Sequence, residues 1–197
     1  MEVLSLCNKL KQLLEIENIE DASDKLLINL LDDNKRSKMI DKWLIFCPDL
    51  TKDYMQIIFQ EELADRKEKK QDYTPSCLGK LLAELSNGKK VYDCCAGSGS
   101  LTIQYWLRHK KAEFVCYELD NRVIPYLLFN LSERNINAFV LNGNVLKNEV
   151  ERAYKVTSTD KYSKIEKIEI LTEKSGYNEQ LSLFSWWNIQ RNRYYNI

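Results

Sequence analysis

Histidine and paired cysteines are scarce in this sequence. It has one histidine, His109, and its six cysteines form no Cys-x-x-Cys pair. Zinc sites are usually built from clusters of these two residue types, and disulfide frameworks from regularly spaced cysteines. The sequence therefore predicts neither a metal site nor a fold stabilised by disulfides.

Long apolar runs and an excess of charge of one sign are also missing. No stretch approaches the length of a membrane span, and the first residues mix acids with apolar side chains at helical spacing, unlike a secretory signal. We therefore expect a cytoplasmic protein with no membrane partner. The 29 basic residues are balanced by 29 acidic ones, so bulk charge gives no sign of a DNA-binding face.

The spacing of apolar residues divides the chain into a helical part and an α/β part. Residues 1–70 have helical spacing and predict three or four short helices, with Thr51 as the expected N-cap of the last one. Residues 71–150 alternate predicted strands and helices, a pattern typical of parallel βαβ units. We predict an α/β fold with a partial Rossmann-like core and a parallel sheet, preceded by a small helical N-terminal segment.

The alternation ends after residue 150. Residues 151–175 predict a β-hairpin, with strands at 153–156 and 165–170 around a polar turn. Residues 176–197 form a tail that begins polar and becomes aromatic.

A glycine turn follows the first predicted strand of the α/β part. Asp93 ends the strand, and the Gly-Ser-Gly segment 97–99 lets the backbone pass close to a ligand because glycine has no Cβ. The next strand ends at Glu118, from where an acid reaches a ribose hydroxyl in nucleotide-binding βαβ folds. A P-loop is excluded because no Gly-Lys-Ser/Thr follows, and a dinucleotide fingerprint needs glycine where Thr102 stands. The acid before the glycines suits a cationic ligand.

Four segments resemble, in the same order, the motifs of a known family. The similarity is to S-adenosylmethionine-dependent DNA adenine-N6 methyltransferases, particularly the modification subunits of type I systems, which also carry a helical segment upstream. The four segments are "YTPSCLGKLLAEL" (73–85), "DCCAGSGSL" (93–101), "FVCYELDNRVIPYLLFNLSERNI" (114–136) and "LNGNVL" (141–146).

The resemblance implies an S-adenosylmethionine cofactor whose ribose contacts Glu118. Asn144 stands where the family has an aspartate that contacts the adenine amino group. The side-chain carbonyl oxygen of Asn144 can still accept a hydrogen bond, but the charge of the carboxylate is lost. The alternative is a methyltransferase-like core that no longer binds cofactor. The implied cofactor-binding residues are Tyr73, Thr74, Asp93, Ala96, Gly97, Gly99, Glu118 and Asn144.

The catalytic tetrapeptide of that family is missing. It has the form Asn/Asp-Pro-Pro-Tyr/Phe, and it holds the target amine while its aromatic ring stacks on the flipped base. The chain has three prolines, Pro48, Pro75 and Pro125, and none is adjacent to another. We therefore assign no catalytic residue and expect a truncated or degenerate relative that does not methylate DNA alone.

The tail contains the pentapeptide Gln180-Leu181-Ser182-Leu183-Phe184, which matches the peptide by which many bacterial replication and repair proteins dock onto the β sliding clamp. Leucine and phenylalanine anchors enter an apolar pocket, and the glutamine fixes the register. The alternative is a tail whose apolar residues pack back on the sheet.

Three functional hypotheses remain open at this point. The first is a cofactor-binding accessory protein recruited to the sliding clamp. The second is an adenine-N6 methyltransferase completed in trans by a DNA-modification partner subunit. The third is a non-catalytic mimic that interferes with restriction or replication proteins.

Overall fold

The computed structural model describes residues 3–63 and 74–170, in which helices pack on a five-stranded sheet. The α/β class and the partial Rossmann-like core are therefore confirmed. A 3-10 turn, Ile19–Asp21, precedes the second helix. The helices are α1 (Val3–Leu14), α2 (Ala22–Leu31), α3 (Asp33–Phe46), α4 (Tyr54–Glu62), α5 (Ser76–Leu85), α6 (Ser100–Arg108) and α7 (Ile124–Glu133); the strands are β1 (Lys90–Asp93), β2 (Glu113–Glu118), β3 (Ala138–Asn144), β4 (Glu149–Thr157) and β5 (Lys164–Ile168).

The first three strands form the predicted parallel half of the sheet. The strand order is β1-β2-β3-β4-β5, with β1 parallel to β2 and β2 parallel to β3. Helices α6 and α7 are the crossovers between these strands. Because parallel strands end at the same edge of a sheet, the residues that follow β1, β2 and β3 lie together.

The predicted hairpin extends the same sheet. β4 runs antiparallel to β3, and β5 runs antiparallel to β4. The register between β3 and β4 shifts between Asn142 and Gly143, which marks a β-bulge. The sheet is therefore parallel over its first three strands and antiparallel over the last two.

Helix α7 lies at the centre of the molecule. All ten of its residues are buried, including the polar Asn130, Ser132 and Glu133. The helices of the N-terminal segment cover it: Trp43 packs edge-on against Phe129 at 5.9 Å, and Phe59 against Tyr126 at 5.3 Å between ring centroids. The helical segment and the sheet therefore share one hydrophobic core.

The predicted N-cap of α4 was wrong. Asp53, rather than Thr51, caps this helix by accepting a hydrogen bond from the Gln56 N–H at 2.7 Å. The Thr51 side chain is engaged one turn earlier, where its hydroxyl donates to Asp49. Both residue types are good caps, so local propensity does not distinguish them.

Helix α5 packs through its small residues and exposes its large ones. Gly79 and Ala83 are buried, and a Cβ added at Gly79 would lie 2.8 Å from the Gln104 side chain on α6. Across the two ranges that the structure describes, no helix is long and apolar enough to cross a membrane.

Candidate functional site

Three polar side chains predicted from the sequence lie at one edge of the sheet. Asp93 ends β1, Glu118 ends β2 and Asn144 ends β3. Asp93 pairs with Cys116, and Glu118 pairs with Asn142, so the three ends are adjacent across parallel strands. The parallel pairing therefore brings together the acids that the sequence singled out.

The turn after β1 contains two glycines with positive φ. Gly97 has φ 55° and Gly99 has φ 95°, and residues with a Cβ rarely adopt this left-handed backbone conformation. A Cβ at Gly99 would also lie 2.7 Å from the Leu127 side chain. Ala96 anchors the start of the turn, since its N–H donates to the Tyr117 carbonyl at 2.9 Å. Gly99 then becomes the N-cap of α6, whose amino end faces the site.

The Glu118 carboxylate holds two backbone segments at once. Its Oε2 accepts a hydrogen bond from the Gly97 N–H at 2.8 Å, and its Oε1 accepts one from the Asp120 N–H at 2.7 Å. Burial raises the pKa of Glu118, and these two N–H donors oppose the shift. A carboxylate has about four acceptor sites, so each oxygen retains acceptor capacity for a ligand hydroxyl.

Asp93 is fixed from the neighbouring helix. Its carboxylate accepts a hydrogen bond from the Thr102 hydroxyl at 3.0 Å, and the same hydroxyl lies 3.6 Å from the Cys116 thiol. Burial raises the pKa of Asp93, and the hydrogen bond from Thr102 opposes that rise. Thr102 stands where a dinucleotide fingerprint has its third glycine, and here its side chain fastens α6 to β1.

Asn144 is already engaged in a turn. Its side-chain carbonyl oxygen accepts hydrogen bonds from the Leu146 N–H at 3.0 Å and the Lys147 N–H at 3.2 Å. A carbonyl oxygen has two lone pairs. The predicted contact of this oxygen with the cofactor adenine therefore requires that one of the two hydrogen bonds opens.

Sequence reasoning missed two exposed leucines at this edge. Leu119 follows Glu118 and is 65% exposed, and Leu146 follows Asn144 by two residues and is 95% exposed. These leucines lie beside the half-buried acids Asp93 and Glu118 and add exposed apolar surface to this edge of the sheet. The signal available in the sequence was the apolar Leu119 immediately after Glu118, the acid predicted to reach a ribose.

The remaining predicted residues are covered only in part. Thr74 is half-buried and lies just before Pro75, the N-cap of α5. Tyr73 and the pentapeptide 180–184 lie outside the described residues. Within residues 3–63 and 74–170, no group of three or more histidine, cysteine, aspartate or glutamate side chains is arranged to hold a metal ion.

A glycine turn after β1, an acid at the end of β2 and parallel βαβ connections define a Rossmann-like domain of the nucleotide-binding type. Comparison of the sequence with models of protein families identifies the family within this class. The chain belongs to the N-6 DNA methylase family, whose model matches residues 49–184, more than half of the chain. No curated protein and no solved structure matches it. The family modifies DNA and in general depends on S-adenosylmethionine.

Proposed function

We propose that this protein binds S-adenosylmethionine at the carboxyl edge of β1–β3 and does not methylate DNA on its own. The observation that carries the proposal is the Glu118 carboxylate, which braces the Gly97 N–H and keeps acceptor capacity free at the end of β2. This combination suits a ribose whose two hydroxyls donate to one carboxylate.

The other side chains at the edge fit the rest of the cofactor. Asp93 is an acid beside the turn, which suits the positive charge of the methionine part. Leu119 and Leu146 offer apolar surface to an adenine ring. Asn144 would accept from the adenine amino group through an oxygen that now holds a turn. When bound, the cofactor supplies an electrophilic methyl group on its sulfonium.

The protein lacks the family's motif for orienting the target base. Adjacent prolines are absent from the sequence, so the family's tetrapeptide is absent too. Orientation of the reacting groups is a large part of the advantage of a transfer enzyme. We therefore expect cofactor binding without transfer by the purified chain.

This expectation is tested with tritiated S-adenosylmethionine and mixed-sequence DNA. We expect radioactivity in the DNA to stay at the level of a protein-free sample, while an active adenine methyltransferase serves as the positive control. Calorimetric titration on the same preparation should show cofactor binding. Transfer to adenine by the chain alone would contradict the non-catalytic part, and no heat of binding would favour the non-catalytic mimic.

A second function, a methyltransferase completed in trans, is favoured by the surface of α5. Four leucines at helical spacing, Leu78, Leu81, Leu82 and Leu85, are between 44% and 76% exposed. Contiguous exposed apolar residues are typical of protein interfaces. Methyl transfer that appears only after addition of a modification subunit carrying the tetrapeptide would support this function.

We also propose that the tail recruits the protein to the β sliding clamp. The chain has equal numbers of acidic and basic residues, so it lacks the bulk positive charge that usually drives DNA binding. A tether to a ring that encircles DNA would raise its effective concentration there without a basic face.

The clamp proposal predicts a large loss on removal of the anchors. Replacing Gln180, Leu181 and Phe184 with alanine should lower retention on immobilised clamp by about tenfold or more, because anchor residues carry most of the energy of such peptides. The matched control changes the three residues just before the pentapeptide, Tyr177, Asn178 and Glu179, to alanine. Equal retention of the two triple variants on the clamp would contradict the proposal that the pentapeptide binds it.

A further inference from the structure

A buried carboxylate from the N-terminal segment lies against the glycine turn. Asp53, the N-cap of α4, accepts a hydrogen bond from the Ser98 hydroxyl on its Oδ2 at 2.7 Å. Its Oδ1 accepts from the Asn130 Nδ2 at 2.8 Å. Ser98 and Asn130 are 0% exposed, so this contact forms inside the core.

Asn130, from α7, closes a triangle around Ser98. Its Nδ2 also donates to the Ser98 carbonyl oxygen at 2.8 Å. Ser98 is therefore held at its side chain by Asp53 and at its main chain by Asn130. It stands between Gly97 and Gly99, the two left-handed residues of the turn. Asp53 and Asn130 therefore hold Ser98, the centre of the turn, from the core side, while Glu118 holds the Gly97 N–H from the side of the proposed site.

The segment that carries Asp53 is itself held by Arg134, the C-cap residue of α7. The guanidinium of Arg134 donates from Nε to the Leu50 carbonyl at 3.0 Å and from Nη2 to the Lys52 carbonyl at 2.7 Å. Its Nη1 donates to the Asn130 Oδ1 at 3.0 Å, and Arg134 is also paired with Glu133. The residues on the N-terminal side of Asp53 thus cannot shift without breaking these partly buried hydrogen bonds.

A buried carboxylate is retained only where its hydrogen bonds are satisfied. Burial raises the pKa of Asp53, and the Ser98 hydroxyl and the Arg134 charge oppose the rise. As a plain N-cap, Asp53 needs only the Gln56 N–H. The additional bond to Ser98 reaches the turn directly, and the bond to Asn130 reaches it through the contact of Asn130 with the Ser98 carbonyl.

We propose that Asp53 is a positioning residue for the cofactor site. Through Ser98 it holds the glycine turn in the conformation that receives the ligand, so the N-terminal helical segment completes the site without touching the ligand. The turn is then ordered before binding, which lowers the entropy lost when the ligand binds. The proposal rests on the cofactor binding proposed above.

The test compares Asp53→Asn and Ser98→Ala in the full chain. Asparagine is an equally good N-cap, so Asp53→Asn keeps the cap of α4 and alters the bond to Ser98. The matched control is Asp32→Asn, at the N-cap of α3, whose carboxylate accepts from the Lys35 N–H on an exposed surface. Two quantities are measured: S-adenosylmethionine affinity by calorimetry, and hydrogen exchange of the Gly97 and Gly99 amides without cofactor.

We expect each of the two variants to weaken cofactor affinity about tenfold and to speed exchange at the turn by a similar factor, the size of one hydrogen bond to a charged group. The double variant should be no weaker than either single variant, because both changes act on the same charged contact between residues 53 and 98. Asp32→Asn should match the wild type in both measurements. A purely structural role of Asp53 would instead speed hydrogen exchange of amides throughout the core and leave the cofactor affinity of the folded protein unchanged.

Wild-type affinity and wild-type exchange in Asp53→Asn and Ser98→Ala would overturn the proposal. Additive losses in the double variant would overturn it as well. If the wild type itself binds no cofactor, cofactor binding is the proposal that fails, and exchange at Gly97 and Gly99 alone then decides whether Asp53 holds the turn.

Discussion

Replacing Glu118 with alanine is expected to weaken S-adenosylmethionine binding by roughly 100-fold or more, since each hydrogen bond to a charged group contributes about 1.5–3 kcal/mol. The substitution removes the carboxylate proposed to receive the ribose hydroxyls. It also releases the Gly97 N–H and the Asp120 N–H, which this carboxylate now holds at 2.8 and 2.7 Å. The measurement is calorimetric titration of the purified variant.

The matched control for this experiment is Glu113→Ala. Glu113 starts the same strand at its opposite end and is exposed, so it lies away from the proposed site. Its replacement should leave the affinity unchanged. An intermediate result is expected for Glu118→Gln, because an amide keeps one acceptor oxygen and loses the charge. Equal affinities of Glu118→Ala and Glu113→Ala would show that the ligand does not use the end of β2.

The difference between Glu118 and Asp53 shows what local sequence can predict. Glu118 and Asp93 were found because an apolar strand followed by an acid or a glycine turn is a local pattern, and parallel pairing then brings successive strand ends together. Asp53 contacts Ser98, 45 residues away, and Asn130, 77 residues away. Nothing in the residues around Asp53 distinguishes it from Thr51 as a cap, so only the tertiary contact selects it.

The sheet also has one part that the local sequence pattern predicts and one part that it does not. The alternation of strands and helices predicted the parallel βαβ units that contain β1, β2 and β3, because hydrophobic periodicity is a property of each segment. The hairpin of β4 and β5 was also predicted. Its pairing with β3 depends on the close approach of two backbones at Gly143, and the pattern of side chains carries no information about which edge a hairpin joins.

Gly143→Ala is expected to destabilise the protein by roughly 3 kcal/mol or more, through overpacking between two backbones. A Cβ at this position would lie 2.0 Å from the Glu149 carbonyl oxygen and 2.8 Å from the Val150 Cα. These are main-chain atoms of β4, so no side chain can rotate away to make room. The measurement is the free energy of unfolding from urea titration followed by circular dichroism.

The matched control for Gly143→Ala is Gly88→Ala. Alanine reduces the conformational freedom of the unfolded chain by the same amount at both positions, so the difference between the variants isolates the folded-state clash. A Cβ at the exposed Gly88 would lie 3.3 Å from the Lys90 carbonyl oxygen, and the expected change is within about 1 kcal/mol. Equal unfolding free energies would contradict the close approach of β3 and β4. A large difference would mean that Gly143, the glycine of "LNGNVL", is needed for the pairing of β3 with the antiparallel strand β4. A glycine beside Asn144 would then be explained by the packing of the sheet, without any role in ligand binding.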